Sequence, residues 1–124
     1  QRNEMDQIFL LAPTSTDQRI QHAVDQASGF VYYVSLKGVT GAASLDISEA
    51  AARIAKIKTK TPVPVGVGFG ISDAASAKAM GQVADAVIVG SAFVKNFANL
   101  PADEAVQQTV NKVKELRAAL DELV

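Results

Sequence analysis

Apolar and polar residues are arranged along this chain in four repeats, each a short apolar run followed by a longer amphipathic segment. The short runs are rich in β-branched or aromatic residues, as is typical of strands buried on both faces. They cover residues 7–12, 30–35, a stretch from 63 that ends in Gly68-Phe69-Gly70, and 85–89. The pattern therefore predicts four strands.

The segments after these runs have apolar residues at three- and four-residue steps, which predicts helices. Ser15 begins a capping-box motif before the first helix, and His22 lies off the apolar stripe of that helix and is expected to be exposed. Ser72 is expected to cap the third helix, and a short helix is expected over residues 91–97. The last helix has the longest apolar stripe, which is expected to be buried: Val106, Val110, Val113, Leu116, Leu120 and Leu123.

The alternation of strands and helices predicts an α/β fold with about four βα units, a parallel sheet and right-handed crossovers. The chain has 124 residues and no internal linker, so one domain over residues 1–124 is expected. In the second strand, the two-residue period of side-chain direction places Tyr32 and Tyr33 on opposite faces of the sheet.

The composition of the chain argues against several classes of partner and of binding site. The net charge is -1 with scattered Lys and Arg, so neither nucleic acid nor a membrane surface is expected as a partner. No run approaches the roughly 20 apolar residues that cross a bilayer, and no signal-peptide pattern is seen, which predicts a cytoplasmic protein. Cysteine is absent and His22 is the only histidine, so no thiolate or histidine metal site is expected. No cofactor is expected either.

Two strands end in glycine and lead directly into a helix. Gly68-Phe69-Gly70 and Gly90-Ser91 would lie at the same edge of a parallel sheet, where backbone N–H groups and helix dipoles favour an anion such as phosphate. The alternative is that these glycines only permit tight turns or close helix packing. Neither turn has the spacing of a Walker loop or of a dinucleotide-binding fingerprint.

Four segments of the chain are similar to the tryptophan synthase alpha chain family, in the same order and at the same spacing. They are residues 8–16 (IFLLAPTST), 32–41 (YYVSLKGVTG), 68–72 (GFGIS) and 89–92 (VGSA). The resemblance implies half of a (β/α)8 TIM barrel, its C-terminal half. The family cleaves indole-3-glycerol phosphate to indole and glyceraldehyde 3-phosphate and passes indole to a beta chain.

The resemblance also implies roles for individual residues. Tyr32 would face the barrel interior near the reacting ring system, Phe69 would line the indole pocket, and Thr40 would lie in a loop over the site. Four residues would hold the substrate phosphate: Gly41, Gly70, Gly90 and Ser91.

The match begins at about the fifth strand of the family barrel. The family's catalytic glutamate and aspartate belong to the part that is not matched, so the chain by itself is expected to have no lyase activity. Two hypotheses about its role remain open: an enzyme completed by its missing N-terminal half or by self-association, and a non-catalytic phosphate-binding fragment or engineered half-barrel. A third is another phosphate-binding TIM-barrel family, which should lack the G-V-T-G loop.

Overall fold

The structure, a computed structural model, describes residues 4–35, 47–68 and 70–124. Its strands are β1 (Phe9–Leu11), β2 (Val31–Val34), β3 (Val65–Gly68) and β4 (Ala86–Ile88). Its helices are α1 (Asp17–Gln26), α2 (Ser48–Lys58), α3 (Ala74–Gly81), α4 (Ser91–Asn99) and α5 (Ala102–Asp121). In the part that the structure describes, no helix is long and apolar enough to cross a membrane.

The four strands form one parallel sheet in the order β1-β2-β3-β4. The predicted alternation of strands and helices is confirmed, and the short helix expected at residues 91–97 is α4. One row of register partners runs across the sheet: Leu10, Tyr32, Gly66 and Ala86.

The hydrophobic core lies between the sheet and its helices. Every second residue of β2 and β3 is buried in it, including Val31, Tyr33 and Val67, against Ile54 of α2 and Met80 of α3. Because burial disfavours the charged phenolate, the pKa of Tyr33 is raised. The alternation that separates Tyr33 from Tyr32 is therefore confirmed.

The opposite side of the sheet, here called the open face, is less covered than the sequence predicts. Leu10 on this face is 56% exposed, and Tyr32 and Val34 are half-buried. The expectation of strands buried on both faces is confirmed for β3, whose four residues are all buried, but it is wrong for β1 and β2 on this side, because the helices of the described residues pack on the other one.

The apolar stripe of α5 is the main departure from the predicted core. Leu116 is buried as expected, but Val106, Val110 and Val113 are 55%, 41% and 48% exposed. A different side of α5 faces α3, and on that side Glu122 pairs with Lys78. These three residues, here called the valine flank, lie on the side of α5 turned away from α3.

The N-terminal cap of α1 differs from the predicted one by one residue. Thr16 rather than Ser15 caps α1, and its hydroxyl accepts the Arg19 N–H. Ser15 instead accepts the Ala12 N–H at 3.0 Å and closes the turn after β1. His22 is exposed, as expected.

Candidate phosphate-binding edge of the sheet

The two glycine turns lie at the same height on adjacent strands. Gly68 of β3 is the register partner of Ile88 of β4. Gly70 and Gly90 each follow two residues later, beyond the carboxyl ends of their strands. In open α/β sheets this edge is where ligands bind.

The turn after β3 requires glycine for a backbone reason. Gly70 has φ = 76°, a left-handed conformation that a side chain disfavours. It is exposed at the edge of the sheet, so its position is open to a ligand.

Helix α3 does not present a free N-terminus behind this turn. Its cap is Asp73, not Ser72 as the sequence suggested, and Asp73 accepts the Ser76 N–H at 2.8 Å. The Ser76 hydroxyl oxygen in turn accepts the Asp73 N–H at 3.2 Å, which completes a capping box. The Ser76 backbone N–H, and after it the Ser76 hydroxyl that donates to Asp73 Oδ1 at 2.7 Å, hold the pKa of Asp73 below its usual range. The first turn of α3 is therefore satisfied by side chains: those of Asp73 and Ser76, and that of Glu115 of α5, which accepts the Ala74 N–H at 3.3 Å.

Helix α4 is different, because no side chain caps it. The carbonyl of Gly90 accepts the N–H groups of Phe93 and Val94 at 2.9 and 3.2 Å. The first N–H groups of a helix have no partner inside it, and here they belong to Ser91 and Ala92. The positive end of the α4 dipole thus lies at the same edge as Gly70.

The packing around position 90 does not require a residue as small as glycine. A Cβ atom built on Gly90 would meet no atom of the described residues within 4 Å. Its φ of -120° is also one that other residues adopt. Packing against the described residues does not explain glycine here, whereas a ligand approaching the backbone would.

Tyr32 lies across the open face below this edge. Its ring leans along the sheet onto Gly68, and a Cβ atom on Gly68 would collide with the Tyr32 hydroxyl and lie 2.7 Å from Cζ. One step lower, a Cβ atom on Gly66 would lie 2.9 Å from Ile88 Cδ1 and 3.4 Å from the Phe30 ring. The glycines of β3 thus make room for side chains of both neighbouring strands.

Three of the residues proposed for the site from the sequence lie outside the described residues: Thr40, Gly41 and Phe69. The structure brings Gly70, Gly90 and Ser91 to one edge, with Tyr32 on the open face beneath them. Sequence reasoning missed the pairing of Tyr32 with Gly68. Its signal was the alternation Val65-Gly66-Val67-Gly68, which puts both glycines on the same face.

Metal chemistry finds no support in the described ranges. Across residues 4–35, 47–68 and 70–124, no group of three or more His, Cys, Asp or Glu side chains is placed to hold a metal ion. The groups proposed here to bind an anion are backbone N–H donors and the Ser91 hydroxyl, with Tyr32 beside them.

Comparison with known proteins identifies the family. The family profile described as "Tryptophan synthase alpha chain" matches residues 1–124. The chain belongs to the tryptophan synthase alpha chain family. It is 85% identical over 123 residues to the alpha chain of Acinetobacter baumannii (strain AYE), which covers 99% of this chain and 46% of that protein. It is 53% identical over 120 residues to the alpha chain of a Janthinobacterium species, covering 97% and 45%.

Solved structures of the family share the fold. Tryptophan synthase subunit alpha from Legionella pneumophila superposes with a TM-score of 0.79 at 28% identity, covering 98% of this chain and 44% of that one. The alpha subunit from Pyrococcus furiosus gives 0.76 at 33% identity, covering 92% and 45%. The chain spans less than half the length of the relatives it matches. Its four βα units are half of a (β/α)8 barrel, as the sequence predicted.

Proposed function

We propose that this chain is the substrate-phosphate-binding half of a tryptophan synthase alpha-type lyase. The complete barrel would cleave indole-3-glycerol phosphate to indole and glyceraldehyde 3-phosphate in tryptophan biosynthesis. One observation carries the proposal: the unfilled space over Gly90, at the uncapped N-terminus of α4 and level with Gly70.

The phosphate would be held by neutral donors and a dipole rather than by cations. The N–H groups of Gly70, Gly90 and Ser91 and the Ser91 hydroxyl would each donate to a phosphate oxygen. An α-helix contributes about half a positive charge at its N-terminus, and this attraction is strongest within its first turn. Gly41 would add a further N–H group from the loop after β2.

The rest of the substrate would lie over the open face. Tyr32 would contact the indole ring, since its own ring lies on that face within reach of the glycine edge. Phe69 would line the same pocket, and Thr40 would act from the loop above it. Proton transfers at the ring and at the glycerol would be made by the carboxylates of the unmatched half. General acid–base groups typically contribute about 10²–10⁴-fold each.

The barrel would be completed by a partner that covers two regions. The free edges of β1 and β4 present unpaired backbone groups. A groove of about 400 Å³ also runs between β4 and α5, lined by residues that include Val87, Phe93 and Val113. The valine flank extends this groove along α5.

We infer that a second copy of this chain is a poor fit to the groove. Asp17 of α1 pairs with Lys56 of α2 at 2.6 Å, so the other flank of α1 is turned outward. That flank carries Arg19, His22 and Gln26, all exposed. Closing the sheet with a second copy would set these polar side chains against the valine flank. We therefore propose the unmatched half as the partner, and the beta chain of tryptophan synthase as the partner of the completed barrel.

Titration with glycerol phosphate and inorganic phosphate tests the anion site. Amide chemical shifts of Gly70, Gly90 and Ser91 are followed in the parent and in Gly90→Val, whose side chain would enter the empty space. We expect Gly90→Val to weaken binding at least tenfold while the chain stays folded. Ala98→Val on an exposed position of the same helix is the matched control. Equal affinity in parent and Gly90→Val would contradict the proposal.

Co-expression tests the lyase. The part of the A. baumannii alpha chain that this chain does not match is produced together with it, and indole release from indole-3-glycerol phosphate is measured. We expect activity from the pair and none from either chain alone. A pair that copurifies and binds phosphate but releases no indole would argue for the alternative role, a non-catalytic phosphate-binding fragment.

A further inference from the structure

Asp85 joins three elements at the amino end of the sheet, opposite the glycine turns. Its Oδ2 accepts the Val65 N–H at 2.9 Å, and its own N–H donates to the Val65 carbonyl at 2.9 Å. Its Oδ1 accepts from Lys58 Nζ of α2 at 2.7 Å. One residue thus contacts the start of β3 through both backbone and side chain.

The Asp85 carboxylate accepts a hydrogen bond that a backbone carbonyl of β4 would accept in a regular parallel ladder. In a parallel ladder, the Val65 N–H on this side would bond to a backbone carbonyl of the residues just before Asp85. Residues 83 and 84 instead belong to the turn that ends α3, where both N–H groups bond to the Met80 carbonyl at 3.1 Å. The Asp85 side chain therefore makes the first hydrogen bond between β3 and the start of β4.

We propose that Asp85 is a positioning residue that fixes the register of β4 against β3 and so keeps the Gly90 turn level with the Gly70 turn. This inference rests on the proposed phosphate function. Strand β4 has three residues and only one neighbouring strand among those the structure describes, so its ladder holds few bonds that oppose a slip.

The two possible slips have different consequences. A one-residue slip would turn Val87 from the core to the open face and is opposed by burial. A two-residue slip keeps every side chain on its face and is opposed mainly by the ladder and by the bonds of Asp85. At about 3.3 Å per residue it would move Gly90 about 6.6 Å along the strand. Donors that must lie about 2.7–3.2 Å from a phosphate oxygen would then be out of reach.

Three variants separate the contacts that Asp85 makes. Asp85→Ala removes both side-chain bonds, Asp85→Asn keeps an oxygen for the Val65 N–H, and Lys58→Met removes only the ion pair. Each full chain is titrated with inorganic phosphate while backbone NOEs between Gly66 and Ala86 report the register. We expect Asp85→Ala to lose the native NOEs and at least tenfold in phosphate affinity. Lys58→Met and Asp85→Asn should stay within about threefold of the parent, because the bond to Val65 is retained.

A core variant controls for loss of stability alone. Ile54→Val lowers the unfolding midpoint without removing any hydrogen bond of the β3–β4 ladder, and it should leave both the NOEs and the phosphate affinity unchanged. Native NOEs in Asp85→Ala would overturn the inference, whatever its stability. If Asp85→Ala does not fold, loss of the native NOEs in Lys58→Met would overturn it, because the ion pair and not the Val65 bond would then set the register. A parent with native NOEs and no phosphate binding would refute the proposed function, while the NOEs of the variants would still decide the role of Asp85.

Discussion

The hydroxyl of Tyr32 occupies the space that a Cβ atom at position 68 would need. The two residues are not register partners, since Tyr32 pairs with Gly66 and Val34 pairs with Gly68. The contact is diagonal across β2 and β3, made by a long side chain leaning along its strand. A glycine of β3 and an aromatic residue of β2 therefore form one packing unit.

This contact predicts strong coupling between substitutions at the two positions. Gly68→Ala should destabilise the parent by about 1–3 kcal/mol, as overpacking does in a well-packed site. In a Tyr32→Ala background the same change should cost less than about 1 kcal/mol, because the clash is gone. Urea unfolding of the four proteins gives the coupling free energy. Additive effects would show that the Tyr32 ring lies elsewhere.

The two turn glycines should respond differently to alanine. Gly70→Ala places a side chain at φ = 76° and should cost about 1–2 kcal/mol of folding stability. Gly90→Ala meets no atom and no unfavourable φ, so its free energy of unfolding should stay within about 0.5 kcal/mol of the parent. Chemical denaturation in the absence of anions measures both. A large loss in Gly90→Ala would mean that packing, not a ligand, requires glycine there.

Folding stability should fall with acid below about pH 4. The Lys58 ammonium, followed by the Val65 N–H, holds the pKa of Asp85 below its ordinary value, and Ser76 does the same for Asp73. A carboxyl whose folded-state pKa is depressed stabilises the fold above its unfolded pKa. That contribution is lost as pH falls through the folded value. Both groups are largely solvent-accessible, so the loss for each should be modest.

Unfolding midpoints recorded from pH 2 to pH 7 test this dependence. Asp85→Asn should flatten the acid limb of the curve, because the variant has no carboxyl to protonate at that position. Asp25→Asn on the exposed side of α1 is a suitable comparison. An unchanged acid limb in Asp85→Asn would contradict the assignment.

The valine flank should matter for association and not for the folding of this chain. Val110→Lys changes a residue that is 41% exposed and should alter stability by less than about 1 kcal/mol. The same change should abolish copurification with the unmatched half, because it places a charge in the contact. Leu116→Ala, at a buried position of the same helix, should cost about 2–5 kcal/mol. Undiminished copurification of Val110→Lys would show that the flank is not the contact.

The order of elements was predictable because each strand and helix has its own local pattern. Residues 30–35 alternate between core and open face in the structure as the two-residue period requires. The edge formed by Gly70, Gly90 and Ser91 was also predictable, since adjacent parallel strands end on the same side of a sheet.

What the sequence did not determine depends on contacts between elements. Ser72 and Asp73 are neighbouring residues that both favour N-caps, and only the path of the chain into α3 decides between them. The periodicity of α5 identifies its apolar residues but not the surface that covers them, so the valine flank was wrongly placed in the core. The pairing of Tyr32 with Gly68 depends on strand register, which no local pattern specifies.

Each strand of this sheet pairs with the strand that precedes it in the chain, at separations of roughly 20 to 35 residues. Each pairing closes one βα unit and needs no strand that is synthesised later, although parallel pairing across a segment of this length forms slowly compared with local contacts. The sheet can therefore grow one βα unit at a time, in the direction of synthesis, with β4 added last at the free edge. Assembly with a partner would then join two surfaces that are already folded, and its rate would depend on concentration rather than on the speed of folding.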